Sequence, residues 1–174
     1  MGVKNGGKLV ESIEHRSPIG VLHLFATDCG ICGLTFQESA EKNTLAFQMA
    51  SKDQLDPKRT ELLDEAILQL DEYFAGMRTV FDVPLDIITG TPYQQKVWKA
   101  LRKIPYGKTW SYKQLASKTG NPQAARAVGG ANNKNPIAVI VPCHRVIGSS
   151  GNLVGFAGGL DVKQQLLDLE AATA

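Results

Sequence analysis

The chain has 174 residues, 43% of them hydrophobic and 21% charged, with a formal net charge of +2. That is enough chain to bury one large core or two small ones, and the composition is that of an ordinary globular protein. No apolar run is long enough to span a bilayer. Met1 to Lys8 is too polar and flexible for a signal peptide, Gly6 makes Met1-Gly2 a poor myristoylation site, and three cysteines, an odd count, argue against a disulfide scaffold.

In chain order, Gly20 to Ala26 alternates loosely and reads as a strand, Thr27 to Gly30 as a turn, and Ile31 to Gln37 as a returning strand. Pro57 to Met77 reads as a helix, because Leu62, Leu63, Ala66, Ile67, Leu70, Tyr73 and Phe74 share one face, and Gly76 supplies a stop. Val83 to Ile88 reads as a short strand. Nothing in this first half carries obvious chemistry.

The second half is punctuated by helix starts. Thr91-Pro92-Tyr93-Gln94 places a capping threonine, a proline at the first helical position and a glutamine at the third. Val97, Trp98, Leu101 and Ile104 follow as an apolar stripe that stops at Pro105. Ser111-Tyr112-Lys113-Gln114 repeats the capping pattern and opens a short helix ending near Gly120. Asn121-Pro122 opens a third helix, Gln123 to Asn132. A connection of about two residues between the last two helices is helix-turn-helix grammar. Within the third helix only Arg126 and Val128 stand above the small side chains of Ala124 to Ala131. Gly129 and Gly130 each weaken a helix by roughly 1 kcal/mol, so they imply close approach to another surface. Helix packing accounts for part of that pattern. A lone long cation on a small-residue face suits a helix pressed on nucleic acid with one inserted side chain.

Charge is divided along the chain. Residues 1–90 hold 8 Lys/Arg against 14 Asp/Glu, and residues 91–174 hold 11 against 3. Between Asp86 and Asp161 there is no acidic residue and there are ten basic ones. This is either a solvated basic face or the footprint of a polyanion, usually nucleic acid. The shift marks a boundary near residues 88–91, giving domains 1–88 and 89–174.

Ile137 to Val141 reads as a buried strand ended by Pro142, which places Cys143, His144 and Arg145 at a strand end. A buried cysteine usually acts as a small hydrophobe, but a thiol beside an imidazole and a guanidinium also suits nucleophilic chemistry. Gly148 to Gly151 is a turn, Gly155-Phe-Ala-Gly-Gly159 a loop rich in backbone donors, and Leu160 to Ala172 a final amphipathic helix.

Five ordered motifs carry a resemblance: Ser111-Tyr-Lys-Gln-Leu-Ala116, Ala125-Arg-Ala-Val-Gly-Gly130, Asn135-Pro136, Pro142-Cys-His-Arg-Val146 and Gly158-Gly159, followed by Leu166-Leu167 and Glu170. Together they resemble the O6-alkylguanine-DNA alkyltransferases, also called methylated-DNA–protein-cysteine methyltransferases, from about Gly90 to Glu170. The resemblance implies an α/β N-terminal domain and a mostly α C-terminal domain with a winged-helix-like helix-turn-helix. It implies a single-turnover DNA repair protein, probing double-stranded DNA for alkylated guanine, flipping the base out and moving the alkyl group to a cysteine. It also implies a monomer without membrane contact, cytoplasmic in bacteria or archaea and nuclear in eukaryotes, and no cofactor.

Carried over by residue, Cys143 is the acceptor, His144 its base through a water, Glu170 the partner of the imidazole, and Asn135 a brace between recognition helix and active-site segment. Adjacent residues of an extended chain face opposite ways, hence the water. Tyr112 donates to the guanine ring. Arg126 fills the gap left by the base, with Ala125, Ala127, Gly129 and Gly130 against the minor groove. Val146, Val154, Phe156, Ala157 and Gly158 shape the pocket. Phe156 stands where many members have tyrosine and Ala157 where some have serine. Ala138 and Val154 replace proline and glycine of some relatives, implying a narrower pocket that favours methyl.

Cys29-Gly-Ile-Cys32, with His15 and His23, also reads as a metal knuckle, and some family members hold a structural zinc in this half. A hairpin that carries two thiols is the preferred reading, since a tetrahedral site needs all four ligands in place. Three other readings remain open: a lesion-flagging relative, which would lack the cysteine; a helix-turn-helix regulator with a structural or redox thiol; and a cysteine hydrolase, which leaves the basic half unexplained.

Overall fold

The fold is that of a computed structural model, which describes residues 8–36, 48–49 and 56–174. The expectations placed on residues 1–7 and on Gln37 lie outside these. Strands β1 (Leu9–Ser17), β2 (Gly20–Thr27) and β3 (Gly30–Phe36) form an antiparallel meander, and β4 (Gln48–Met49) runs parallel beside β1, in the order β3-β2-β1-β4. The expected hairpin is β2–β3. Strand β1 was not expected, because its sequence is mostly polar and half-exposed and shows no apolar alternation. Its inward Glu11 is paired with the buried Arg59 at 2.7 Å.

Helix α1 (Pro57–Phe74) starts where the Asp56 side chain accepts from the Lys58 amide. Leu63, Ala66, Leu70 and Tyr73 face inward across the sheet. The helix ends three residues before Met77, at a turn where Gly76 has φ +72° and any Cβ would meet Thr173. The strand expected over Val83 to Ile88 reduces to one parallel bridge, Ile31 to Leu85. Pro84 accepts from the Ile31 amide but has no N–H to extend a ladder.

Helix α2 (Pro92–Leu101) carries a complete capping box at Thr91 and Gln94, and α3 (Tyr112–Lys118) another at Ser111 and Gln114, as expected. Helix α4 (Ala125–Asn133) begins two residues later than expected. Asn121 caps a turn instead: its side chain accepts from Gln123 and its carbonyl from Ala124. The connection from α3 to α4 is correspondingly longer. Strands β5 (Trp110–Ser111) and β6 (Val146–Ile147) pair in parallel, and α5 (Leu160–Thr173) closes the chain.

Ile137 to Val141 is not a strand. Leu34 and Ile137 form a single bridge, and the chain then coils into a tight turn with Val141 N bonded to Ile137 O at 2.9 Å. Fully buried Val139 sits at φ +68°, a strained setting for a β-branched residue. Such strain costs about 1–3 kcal/mol and persists only where the surroundings dictate it. Here burial of all five apolar side chains does so, and periodicity cannot tell a buried turn from a buried strand. One continuous core joins Leu24, Leu34 and Tyr73 of the first half to Trp98, Leu101, Val128, Val141 and Leu166 of the second.

Candidate active site and nucleic-acid interface

The strained turn delivers Pro142 into a short 3-10 helix, Cys143–Arg145. The expected extended geometry at Cys143-His144 is therefore replaced by a helical turn. Cys143 is 6% exposed. Burial pushes its thiol above the ordinary range, while a hydrogen bond from Asn135 and the charge of Lys163 pull the other way. The resting sulfur is a protonated thiol and needs a base to become a nucleophile. Two asparagines hold the backbone of the segment that carries it. Asn135 Nδ2 donates to Val141 O at 2.8 Å, and Asn132 Nδ2, from α4, donates to Cys143 O at 3.4 Å. Asn135 itself lies just past the end of α4, so the hydrogen bond from α4 to the thiol segment is made by Asn132.

Glu170 is the hub. Its Oε1 lies 2.7 Å from His144 Nε2 and accepts from Tyr73 Oη at 2.7 Å and Arg145 Nη2 at 3.0 Å. Its Oε2 accepts from Arg145 Nε at 2.8 Å and the Gly107 amide at 3.2 Å. Burial alone would raise the carboxyl, but the bonds from His144 and Arg145 outweigh it and bring it down to about 2. Burial lowers His144 below its ordinary value, against the pull of Glu170. Its Nδ1 is buried and has no hydrogen-bond partner among the described residues. A charged carboxylate only accepts, so Nε2 carries the hydrogen and neutral His144 keeps its lone pair on Nδ1.

Two side chains hold the loop after β6. Tyr112 Oη donates to Val154 O at 2.9 Å, and buried Lys163 Nζ donates to Val154 O at 3.0 Å and Gly155 O at 3.4 Å. Phe156 packs edge-on against Phe36 of β3, and a Cβ on Gly158 would strike the same ring. Val146 is buried, while Val154 and Ala157 are exposed.

Away from this cluster, α4 packs on α2 and α3 through Val128 and Ala131, and Trp98 Nε1 donates to Ala131 O at 2.8 Å. Arg126, Ala127 and Gly130 are exposed, with Ala125 and Gly129 half-buried beside them. The outer face is thus flat apart from one cation. Gly129 lies against the Tyr112 ring, which ties this face to the site.

The four residues of the knuckle reading are not brought together. His15 pairs with Asp71, His23 with Glu14, Cys29 is exposed in the β2–β3 turn, and Cys32 is buried, its thiol pushed up to about 12 by burial. Among the described residues no group of three or more His, Cys, Asp or Glu side chains is placed to hold a metal ion.

Two family models match the chain. Residues 14–87 match the ribonuclease-like domain of 6-O-methylguanine DNA methyltransferase, and residues 92–172 its DNA binding domain. The methylated-DNA–protein-cysteine methyltransferase of Methanosarcina acetivorans is 46% identical over 157 residues, covering 90% of this chain and 96% of the relative. The chain is a member of the methylated-DNA–protein-cysteine methyltransferase family. A second member, from Mycolicibacterium paratuberculosis, is 46% identical over 167 residues, covering 91% of this chain and 92% of that one. The solved structure of Mycobacterium tuberculosis OGT in complex with DNA superposes with a TM-score of 0.79 at 46% identity, covering 95% of this chain and 94% of that one. The two-part architecture of this methyltransferase family member, a small sheet domain followed by a helical DNA-binding domain, is as expected.

Sequence reasoning missed Tyr73, Asn132, Lys163 and the double clasp of Arg145. One signal was available. Lys163, Leu166 and Glu170 follow helical spacing, so both charges lie on the inward face of α5. Tyr73 carries no local sign of its role, since 97 residues separate it from Glu170.

Proposed function

We propose that this protein repairs O6-alkylguanine in double-stranded DNA, with Cys143 as the alkyl acceptor and one turnover per molecule. The observation that carries this reading is a buried thiol held beside a His144–Glu170 pair, on a domain whose exposed helix offers Arg126 from a small-residue face. Arg126 enters the duplex through the minor groove and occupies the gap of the flipped base, which costs a few kcal/mol of stacking. Tyr112 releases Val154 O and donates to the guanine ring as charge develops there. Backbone carbonyls of Cys143 and Val146 accept from the exocyclic amine, and the Ala157 amide faces O6.

In the transfer step His144, through a water, takes the thiol proton, and the sulfur attacks the alkyl carbon. The S–C bond forms as the C–O6 bond breaks. The bond pair passes to guanine, which takes up one proton and is restored. The thioether is stable, so the protein is spent. No cofactor enters this balance. With Ala138 and Val154 at its wall, the pocket favours methyl over bulky groups. The protein acts as a monomer, and its archaeal and bacterial relatives support a cytoplasmic setting. No helix among the described residues is long and apolar enough to cross a membrane.

The test is intact-protein mass spectrometry after incubation with duplex DNA carrying one O6-methylguanine. One methyl group gained per protein and mapped to Cys143 is the expected result. Tight DNA binding without any gain would favour a lesion-flagging or regulatory protein.

A further inference from the structure

The carboxylate of Glu170 collects five hydrogen bonds, and four of their donors belong to the second half of the chain. The fifth, Tyr73, comes from α1. Its ring is fully buried and held by Phe74 at 5.3 Å, Phe81 at 5.3 Å and Tyr106 at 6.0 Å between centroids. A tyrosine locked in this way places its hydroxyl at little entropic expense. Burial and the Glu170 charge raise the phenol far above its ordinary range, so it stays a donor. It donates to Oε1, the same oxygen that receives His144 Nε2.

We propose that Tyr73 is a positioning residue for alkyl transfer: its hydroxyl fixes the Glu170 carboxylate so that His144 keeps its hydrogen on Nε2 and its lone pair on Nδ1. The first half thereby sets the reactivity of a thiol that belongs to the second. This rests on the repair reading above. Arg145 grips both oxygens of the carboxylate, and Tyr73 and Gly107 add one further donor to each, Tyr73 to Oε1 and Gly107 to Oε2. The charged and titratable groups around the pair are Arg145 beside it, Lys163 on α5, Tyr73 on α1, Tyr106 before β5, and the Cys143 thiol.

Tyr73→Phe removes the hydroxyl and keeps the ring. Oε1 then has one donor fewer, its charge is less dispersed, and the imidazole beside it holds a proton more tightly. The methyl-transfer rate should fall about tenfold, a fraction of what a whole general base contributes. The acid limb of the pH–rate profile should move to higher pH, with duplex affinity unchanged. Tyr106→Phe serves as control, because the Tyr106 hydroxyl bonds Thr173 rather than Glu170, and it should transfer at the wild-type rate. Nitrogen-15 NMR of His144 in the wild-type protein should show the Nε2–H tautomer.

A transfer rate and pH profile matching wild type in Tyr73→Phe would overturn the proposal. So would an Nδ1–H tautomer in the wild-type protein, a reading that stands even if the variant fails to fold. Absence of any methyl gain in wild type would instead remove the repair reading, while the tautomer still reports on the placement of Glu170.

Discussion

Arg145 clasps Glu170 with two donors, Nε to Oε2 at 2.8 Å and Nη2 to Oε1 at 3.0 Å, while its Nη1 reaches Ile104 O at 2.7 Å. The guanidinium neutralises the carboxylate before the imidazole meets it. His144 therefore sits beside an ion pair rather than a bare anion, and burial is free to keep it neutral. Arg145→Ala strands a buried carboxylate and should cost about 3–5 kcal/mol of stability, read from urea unfolding at neutral pH. A loss below about 1 kcal/mol, the range of a surface pair, would contradict this account.

The same cluster sets the acid stability. Glu170 has a folded value of about 2 against an ordinary 4.5, so its contribution is complete above 4.5 and is lost as pH falls toward 2. His144 is lowered from 6.5, so unfolding gains from its protonation as soon as pH drops through 6.5. Both act in one direction, and the Glu170 shift by itself is worth a few kcal/mol. The urea midpoint should decline steadily from pH 6.5 downward, and Glu170→Gln should flatten the part below 4.5. Parallel curves for the two proteins would refute the assignment.

Arg126 projects from the exposed face of α4. Arg126→Ala should slow repair of duplex O6-methylguanine by about tenfold or more, because the extruded base then leaves an unfilled gap. Reaction with the free base needs no extrusion and should change by less than about twofold. Equal losses on both substrates would remove the inserted role.

Lys163 ties Val154 and Gly155 to α5 without a carboxylate partner of its own among the described residues. Lys163→Met removes both bonds and also the desolvated ammonium, two opposing effects that should leave stability within about 1 kcal/mol of wild type. Amide exchange at Gly155 and Phe156 should accelerate. Unchanged exchange would show that the Tyr112 bond to Val154 suffices to hold the loop.

The proposed pocket wall gives a specificity test. Val154 is 45% exposed and Ala138 buried. Val154→Gly should raise the rate with benzyl adducts by about tenfold and leave methyl transfer nearly unchanged, since a few methylenes in a pocket decide factors of that size. Comparable wild-type rates on methyl and benzyl adducts would show that the wall is not limiting.

Helices α1, α2 and α3 were legible from the chain because their signals are local: Thr91 and Ser111 cap within three residues, and apolar stripes repeat within a turn. The thiol motif, the charge division and the small-residue face of α4 are likewise written in consecutive residues. The turn at Ile137 to Val141 was not legible, because burial on every side erases the periodicity that separates turn from strand. Strand β1 escaped for the opposite reason, a polar sequence recruited by its neighbours.

What the sequence by itself determined is the set of reactive groups and the local elements that carry them. Only the tertiary structure decided how those groups meet. Glu170 gathers Tyr73 from 97 residues away, Gly107 from 63, His144 from 26 and Arg145 from 25. Contacts at such separation depend on how α1, the 3-10 helix and α5 pack around one core. Propensity and spacing act over a few residues and carry no record of that packing.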